Sequence, residues 1–181
     1  MKNRIMRIAA ALLVAPLIAD YVYLTVNIFR DRPKYMMVHM EVFYILDILA
    51  LIAVMVGVII EKYSISLISI MAYETFYLIS TISQIGNYGS LNIMMIIQCI
   101  PSLIIFTMMV LFLAKMIKPL PVVIVVIAVS IIDLLLGLYI RVVGNHMNFF
   151  VWGNIRIIST NICYIIAIVL IVLLAGKKQN N

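Results

Sequence analysis

Long apolar segments separated by short polar connections are the dominant pattern of this sequence. Each segment is close to the roughly 20 residues that a helix needs to cross the hydrocarbon core of a bilayer. We therefore expect six membrane-spanning helices, at residues 8–29, 42–60, 65–85, 92–114, 122–140 and 154–175. Open strands cannot satisfy their backbone hydrogen bonds in lipid, and the sequence lacks the alternation of a membrane barrel. The predicted fold class is an all-α, polytopic membrane helical bundle.

Composition predicts one integral membrane domain over residues 1–181. Apolar residues make up 66% of the chain and charged residues 11%, whereas soluble domains are nearer one half and one quarter. The lipid bilayer is therefore the first expected partner. The net charge of +6 does not indicate nucleic-acid binding, because the lysines and arginines lie mostly at the ends of the apolar segments, where they anchor helices.

The distribution of these cations predicts cytoplasmic N- and C-termini. With the N-terminus inside, the inner side holds Lys2, Arg4, Arg7, Lys62, Lys115, Lys118, Lys177 and Lys178. The outer side then holds Arg30, Arg32, Lys34, Arg141 and Arg156. The inner side has the larger share, as the positive-inside rule requires. We expect a multi-pass protein of the cell (plasma) membrane.

Three carboxylates inside the predicted spans are the most informative polar residues. Asp20, Glu74 and Asp133 lie in the first, third and fifth spans. Each lies roughly ten to thirteen residues beyond the inner end of its helix, or about 15–20 Å, which is near the midplane. Inserting one such carboxylate costs about 2.5–3.5 kcal/mol. Three carboxylates at one depth indicate a shared polar cavity. This cavity would bind a cationic solute or ion, or relay protons. The alternative is that the carboxylates serve packing, through hydrogen bonds between helices.

Other polar residues near this depth have plainer interpretations. Tyr21, Tyr73, Ser130 and Gln98 are expected to add hydrogen bonds in the cavity. Asp47 lies near the outer end of the second span, and Arg156 lies at nearly the same depth in the sixth. An ion pair would neutralise both charges and hold the two helices together. We therefore predict a structural pair between Asp47 and Arg156.

The first span carries a stripe of small residues, Ala11, Ala15 and Ala19, at four-residue spacing. Such stripes let another helix approach closely, either from the same chain or from another subunit. The helix count, cytoplasmic ends, length and alanine stripe resemble the substrate-binding subunits of energy-coupling-factor vitamin transporters. In that family an alanine stripe on the first helix meets the transmembrane coupling subunit, so the resemblance implies other membrane subunits as partners. It is architectural and includes no loop motif.

A second resemblance is to the exosortase-like membrane transpeptidases, which place a cysteine, an arginine and a histidine on the outer side of their helices. Cys99, Arg141 and His146 lie toward that side here. The resemblance implies Cys99 as nucleophile, with Arg141 and His146 activating it. In this sequence Ile100 and Pro101 follow the cysteine, where that family tends to have a small residue and glycine.

The sequence predicts no metal site and leaves any cofactor undetermined. His39 and His146 are predicted on the outer side, near Glu41 and Asp31. Two histidines without a ligand-spaced partner are insufficient for a zinc or haem site. Phosphate-binding glycine loops and serine elbows are also missing from the sequence.

Three functions therefore compete, and the first is favoured. It is a small transport protein, or the membrane subunit of a transport complex, with Asp20, Glu74 and Asp133 as the binding residues. The second is a membrane-embedded enzyme with an outer-face site at Cys99, Arg141 and His146. The third is a structural or assembly subunit of a membrane complex that has no chemistry of its own.

Overall fold

The computed structural model describes residues 2–30, 38–88, 93–139, 141–142 and 152–180. The helices are α1 (Lys2–Arg30), α2 (Val38–Ile59), α3 (Tyr63–Tyr88), α4 (Ile93–Leu113), α5 (Pro119–Tyr139) and α6 (Trp152–Asn180). Strands are not found in these described ranges. The prediction of an all-helical bundle with six helices is confirmed.

The hydropathy of these helices makes the chain an integral membrane protein. Five of them, α1, α2, α3, α5 and α6, are long and apolar enough to cross a membrane. The described part of α4 contributes a shorter apolar stretch, Cys99–Leu113. Helices that are apolar on nearly every side are stable only where lipid or other helices surround them.

The six helices form a ring in chain order. Each helix packs against its neighbours in sequence, and α6 closes the ring against α1. A further contact, between α3 and α6, crosses the ring. It separates a first half, which contains α1 and α2, from a second half, which contains α4 and α5. Short connections between antiparallel neighbours account for this order.

The tight turn from α2 to α3 holds these two helices close together. Glu61 has a left-handed backbone with φ of 60°, and the next N–H, from Lys62, donates to the carbonyl of Gly57 at 2.9 Å. Such a bond reaching back five residues ends a helix abruptly. A Cβ added at Gly57 would lie 2.5 Å from the Ser66 Oγ and 2.9 Å from its backbone nitrogen. Glycine is therefore what lets α3 approach α2 at this level.

Both chain ends lie beside this turn, at what we call the termini end of the bundle. Arg7 of α1 forms an ion pair with Glu61. From α6, Lys178 Nζ donates to the backbone carbonyl of Glu61 at 2.9 Å, and Lys177 Nζ donates to Asn3 Oδ1 at 3.2 Å. The two ends therefore share one side of the bundle, the arrangement that an even number of spans requires.

A dry apolar core fills the half of the bundle nearest the termini. All six helices contribute to it, and its most buried members include Ala10, Val58, Leu67, Met109, Phe112, Val126, Ile168 and Ile171. Described polar side chains of the membrane-embedded part lie mostly in the other half. The bundle is thus divided by depth into an apolar half and a polar half.

Candidate functional site

A polar cavity of about 390 Å³ lies in the half of the bundle away from the termini, and residues from all six helices line it. Leu17 and Ile105 form its floor, since they belong both to the lining and to the apolar core. Arg141 and Arg156 line its other end. Tyr164 lies roughly eight residues further along α6 than Arg156, so the cavity extends about 12 Å along that helix.

Four carboxyl groups line this cavity. Asp20, Glu74 and Asp133, the three selected from the sequence, are joined there by Asp47 of α2. Asp47 and Glu74 are each only 3% exposed. The structure therefore brings the three selected residues together, and it extends the acidic set beyond the odd-numbered helices. Their role in binding stays a prediction.

The ion pair predicted between Asp47 and Arg156 is replaced by another. The guanidinium Nε of Arg156 lies 3.0 Å from Oδ1 of Asp20, and the same guanidinium lies 5.2 Å from the ring centroid of Tyr23. The Nε–H direction does not meet hydrogen-bond geometry, so this contact is an ion pair only. The correction arises because α6 packs against α1 in the ring, which turns Arg156 toward Asp20.

Glu74 lines the cavity at the contact between α3 and α6. The phenol of Tyr164 on α6 donates a hydrogen bond to Oε1 of Glu74. The ring of Tyr164 also packs 5.3 Å from that of Tyr73, the residue before Glu74. A single carboxylate and two phenol rings therefore join the two helices that separate the halves of the bundle.

Five tyrosines form much of the cavity wall: Tyr21, Tyr44, Tyr73, Tyr77 and Tyr164. The rings of Tyr21 and Tyr44 lie 5.7 Å apart, and those of Tyr21 and Tyr73 lie 5.9 Å apart, both edge to face. The hydroxyls of Tyr21 and Tyr73 share a hydrogen bond of 2.8 Å. These contacts join tyrosines of α1, α2 and α3 into a continuous aromatic surface. We call the five lining tyrosines the tyrosine wall.

Unpartnered polar atoms are concentrated in the same cavity. In the described part of the chain, the buried side-chain atoms without a hydrogen-bond partner are Asp47 Oδ1, Ser130 Oγ and Arg156 Nε. All three residues line the cavity. Buried polar groups in native proteins nearly always have a hydrogen-bond partner. Three exceptions at one place therefore distinguish this cavity from the rest of the described chain.

The remaining predicted site residues have separate locations. Arg141 lines the cavity, Cys99 is buried outside its lining, and His146 lies outside the described residues. The triad of the enzyme hypothesis therefore stays a prediction. Asp31 is likewise outside the described residues, and so are the side chains of His39, Glu41 and Gln98. Over the described residues, no group of three or more histidine, cysteine or acidic side chains is placed to hold a metal ion.

The alanine stripe lies mainly on the face of α1 that points away from the bundle. Ala15 and Ala19 are exposed, and Ala11 is half-buried against the apolar core. Within the chain, the close contacts of α1 are made by other residues of the helix, such as Ala10 and Val14. A second subunit and lipid both stay compatible with the exposed part of the stripe.

Sequence reasoning selected Tyr21 and Tyr73 for the cavity but missed Tyr44, Tyr77 and Tyr164, although a signal for Tyr44 and Tyr77 was present. Tyr44 precedes Asp47 by three residues, and Tyr77 follows Glu74 by three, so each shares a helix face with an acid. An aromatic residue on the same helix face as an intramembrane carboxylate is therefore the sequence pattern that indicates Tyr44 and Tyr77 as cavity residues.

No family model, curated protein sequence or solved structure matches this chain.

Proposed function

We propose that this chain is a small transport protein of the plasma membrane, or the membrane subunit of a transport complex, and that it binds a cationic solute in the polar cavity. The observation that carries the proposal is the convergence of four carboxyl groups and the unpartnered buried atoms of the described chain on one cavity. Intramembrane ionisable residues are rare and mark solute or proton pathways in membrane proteins.

The charge of the lining favours a cation. Four carboxyl groups face two guanidinium groups, those of Arg141 and Arg156, which leaves an excess of two negative charges when all six groups are ionised. Charges act over longer distances in a cavity with apolar walls than in water. A cationic solute neutralises the excess, and so does the uptake of protons, which is how the same acids would relay protons.

The position of the cavity supports transport over outer-face catalysis. The lining reaches Glu74 and Tyr164, well inside the bundle, and stops at the apolar core. A binding site at this depth, with a dry barrier on one side, is the arrangement of transporters that bind their solute near the midplane. The exposed Ala15 and Ala19 favour the form of this proposal in which the chain works with a second membrane subunit.

The test is transport by the purified protein in proteoliposomes on a solid-supported membrane. The probes are sodium, ammonium, guanidinium and a series of alkylamines, and the measurement is the saturable charge movement on perfusion. We expect a current with wild-type protein and with Glu61→Gln, which removes a carboxylate at the termini end. We expect none with Asp20→Asn, Glu74→Gln or Asp133→Asn.

Two results would contradict the proposal. The first is full activity in all three cavity variants, which would show that the acids serve only packing. The second is the absence of a saturable signal with every probe from a protein that is folded by its unfolding transition. The Cys99→Ala variant separates the enzyme alternative, because transport through the cavity is expected to survive it.

A further inference from the structure

Resting on the proposed function, we propose that the solute is a linear aliphatic diamine, bound as a dication that extends from the first half of the bundle to the second. Arg156 Nε already faces Asp20 at 3.0 Å, and the two other unpartnered atoms point to a guest with two polar ends. Asp47 Oδ1 belongs to α2 in the first half, and Ser130 Oγ belongs to α5 in the second half. Both side chains are at least nine-tenths buried, at 3% and 5% exposure.

Each of these atoms belongs to an acidic end of the cavity. Asp47 is itself a carboxylate, and Ser130 precedes Asp133 by three residues, which places both on one face of α5. An ammonium group carries three N–H donors. One ammonium therefore satisfies Asp47 Oδ1, and the other satisfies Ser130 Oγ together with Asp133.

Glu74 lies on α3, the helix that contacts α6 across the ring, whereas Asp47 lies on α2 and Asp133 on α5. All three acids line the cavity. Asp20 forms an ion pair with Arg156 at 3.0 Å, so its role is to neutralise a guanidinium that would otherwise repel a cation. Acids from both halves of the ring, with an unpartnered acceptor in each half, match a chain with two separated positive charges.

The net charge of the cavity also matches a dication. With all four carboxyl groups and both guanidinium groups of the lining ionised, two negative charges are in excess, and a doubly charged guest neutralises them. A monocation leaves one charge uncompensated among apolar walls, where that is costly.

The tyrosine wall suits the methylene chain of such a guest. Tyr21, Tyr73 and Tyr164 make successive ring contacts from α1 to α6, and they line the same cavity as Asp47 and Glu74. Aromatic faces attract alkylammonium groups and pack well against methylenes. A cavity of about 390 Å³ is far larger than a bare metal cation and falls within the range of small-molecule pockets.

The test is calorimetric titration of the full chain in lipid nanodiscs with four probes: 1,4-diaminobutane, 1,6-diaminohexane, butylamine and 1,4-butanediol. We expect one of the diamines to bind at least about tenfold more tightly than butylamine, since a second charge-assisted contact is added. We expect no heat of binding from the diol, which has the diamine's length without its charge.

Variants locate the two ends of the guest. Asp47→Asn and Asp133→Asn are each expected to reduce diamine affinity by about tenfold or more, toward the butylamine value. Glu61→Gln is the matched control, with a carboxylate removed at the termini end, and its diamine affinity is expected to equal that of wild type. Ser130→Ala leaves every charge in place, so a weaker diamine affinity in this variant supports the proposal even if an Asn variant fails to fold.

The outcomes separate this inference from the proposed function. If butylamine binds as tightly as both diamines, and this binding is lost in Glu74→Gln, the solute is a monocation: the diamine proposal is overturned and the proposed function stands. The diamine proposal is likewise overturned if diamine binding is indifferent to Asp133→Asn and Ser130→Ala. If no amine binds and the perfusion experiment shows no current with any cation, both proposals fall.

Discussion

Asp47 combines two properties that oppose stability. Its side chain is 3% exposed, and its Oδ1 has no hydrogen-bond partner. A buried carboxylate without a partner costs free energy that a leucine of similar size does not. Residues kept at such a cost are typical of binding sites, where stability and activity are in conflict.

Replacing Asp47 by leucine is therefore expected to stabilise the folded protein. We predict that Asp47→Leu raises the free energy of unfolding by about 1–3 kcal/mol, measured by denaturant titration in mild detergent, while cation binding is lost. Asp20→Leu is the matched comparison and is expected to destabilise, because it leaves Arg156 without its partner. A destabilised Asp47→Leu variant would indicate that Asp47 has a structural role.

Tyr164 is expected to stabilise the bundle through Glu74. Removing its hydroxyl in Tyr164→Phe leaves the buried carboxylate without this donor, and we predict a loss of about 1–2 kcal/mol in unfolding free energy. In a Glu74→Gln background the same substitution should cost less, and the difference in the double-mutant cycle gives the coupling. Tyr139→Phe, at a site 55% exposed, is the control with no expected change. Equal costs in the two backgrounds would disprove the coupling.

At this scale the sequence predicts which acids matter but not their partners. Asp20, Glu74 and Asp133 could be selected because any carboxylate in a span is costly. The partner of Arg156 could not be selected in this way. The sequence sets the depth of a residue along its helix, whereas packing sets how the helix is rotated about its axis. Helices that are apolar on most faces carry too weak a polar face to fix that rotation.

Among the helices, the packing of α2 against α3 depends on a single small residue, Gly57. Gly57→Ala would place a Cβ 2.5 Å from Ser66 Oγ, which itself donates to the carbonyl of Val54 at 3.0 Å. The second close atom, the backbone nitrogen of Ser66, cannot move without the helix.

We predict that Gly57→Ala destabilises the protein by about 1–3 kcal/mol through overpacking, despite the higher helix propensity of alanine. The measurement is the midpoint of thermal unfolding in detergent. Gly153→Ala, where an added Cβ meets nothing within 4 Å, is expected to be neutral or stabilising. If the two variants behave alike, the contact between α2 and α3 is looser than the structure indicates.

At the scale of elements, the sequence predicts the helix boundaries better than it predicts the contacts between helices. The segments at 42–60 and 122–140 were expected close to where α2 (Val38–Ile59) and α5 (Pro119–Tyr139) lie, since hydropathy alone marks a span. The largest differences are at the chain ends, where α1 begins at Lys2 and α6 ends at Asn180. There the helices continue into charged residues, which the apolar pattern does not reach but which favour helix and bind neighbours, as Lys178 does with Glu61.

The whole molecule is a ring of helices with an apolar half next to the termini and a polar half that contains the cavity. This division predicts which positions a water-soluble reagent can reach. In a variant without Cys99 and Cys163, a cysteine replacing Gly137, which lines the cavity, should react with a membrane-impermeant maleimide added outside intact cells. Lys178→Cys, at the termini end, should react only in inverted vesicles. A cysteine at Val126, which is fully buried in the apolar core, should react from neither side.

This labelling also tests the orientation that the positive charges predict. Reaction of the Gly137 and Lys178 cysteines from the same side would contradict the division of the bundle by depth. Reaction from opposite sides, but with Lys178→Cys on the outside, would keep the division and reverse the predicted topology.

The polar half and the apolar half of the bundle also determine where the membrane voltage would act. Water in the cavity would carry the potential of the bulk down to Glu74, so most of the membrane voltage would fall across the apolar core between Glu74 and the termini end. A single charge gains about 2.3 kcal/mol per 100 mV on crossing that voltage, and a dication about 4.6 kcal/mol. If the chain transports a diamine through an outward-facing cavity, as we propose, the resting voltage of an inside-negative cell would itself drive the diamine inward.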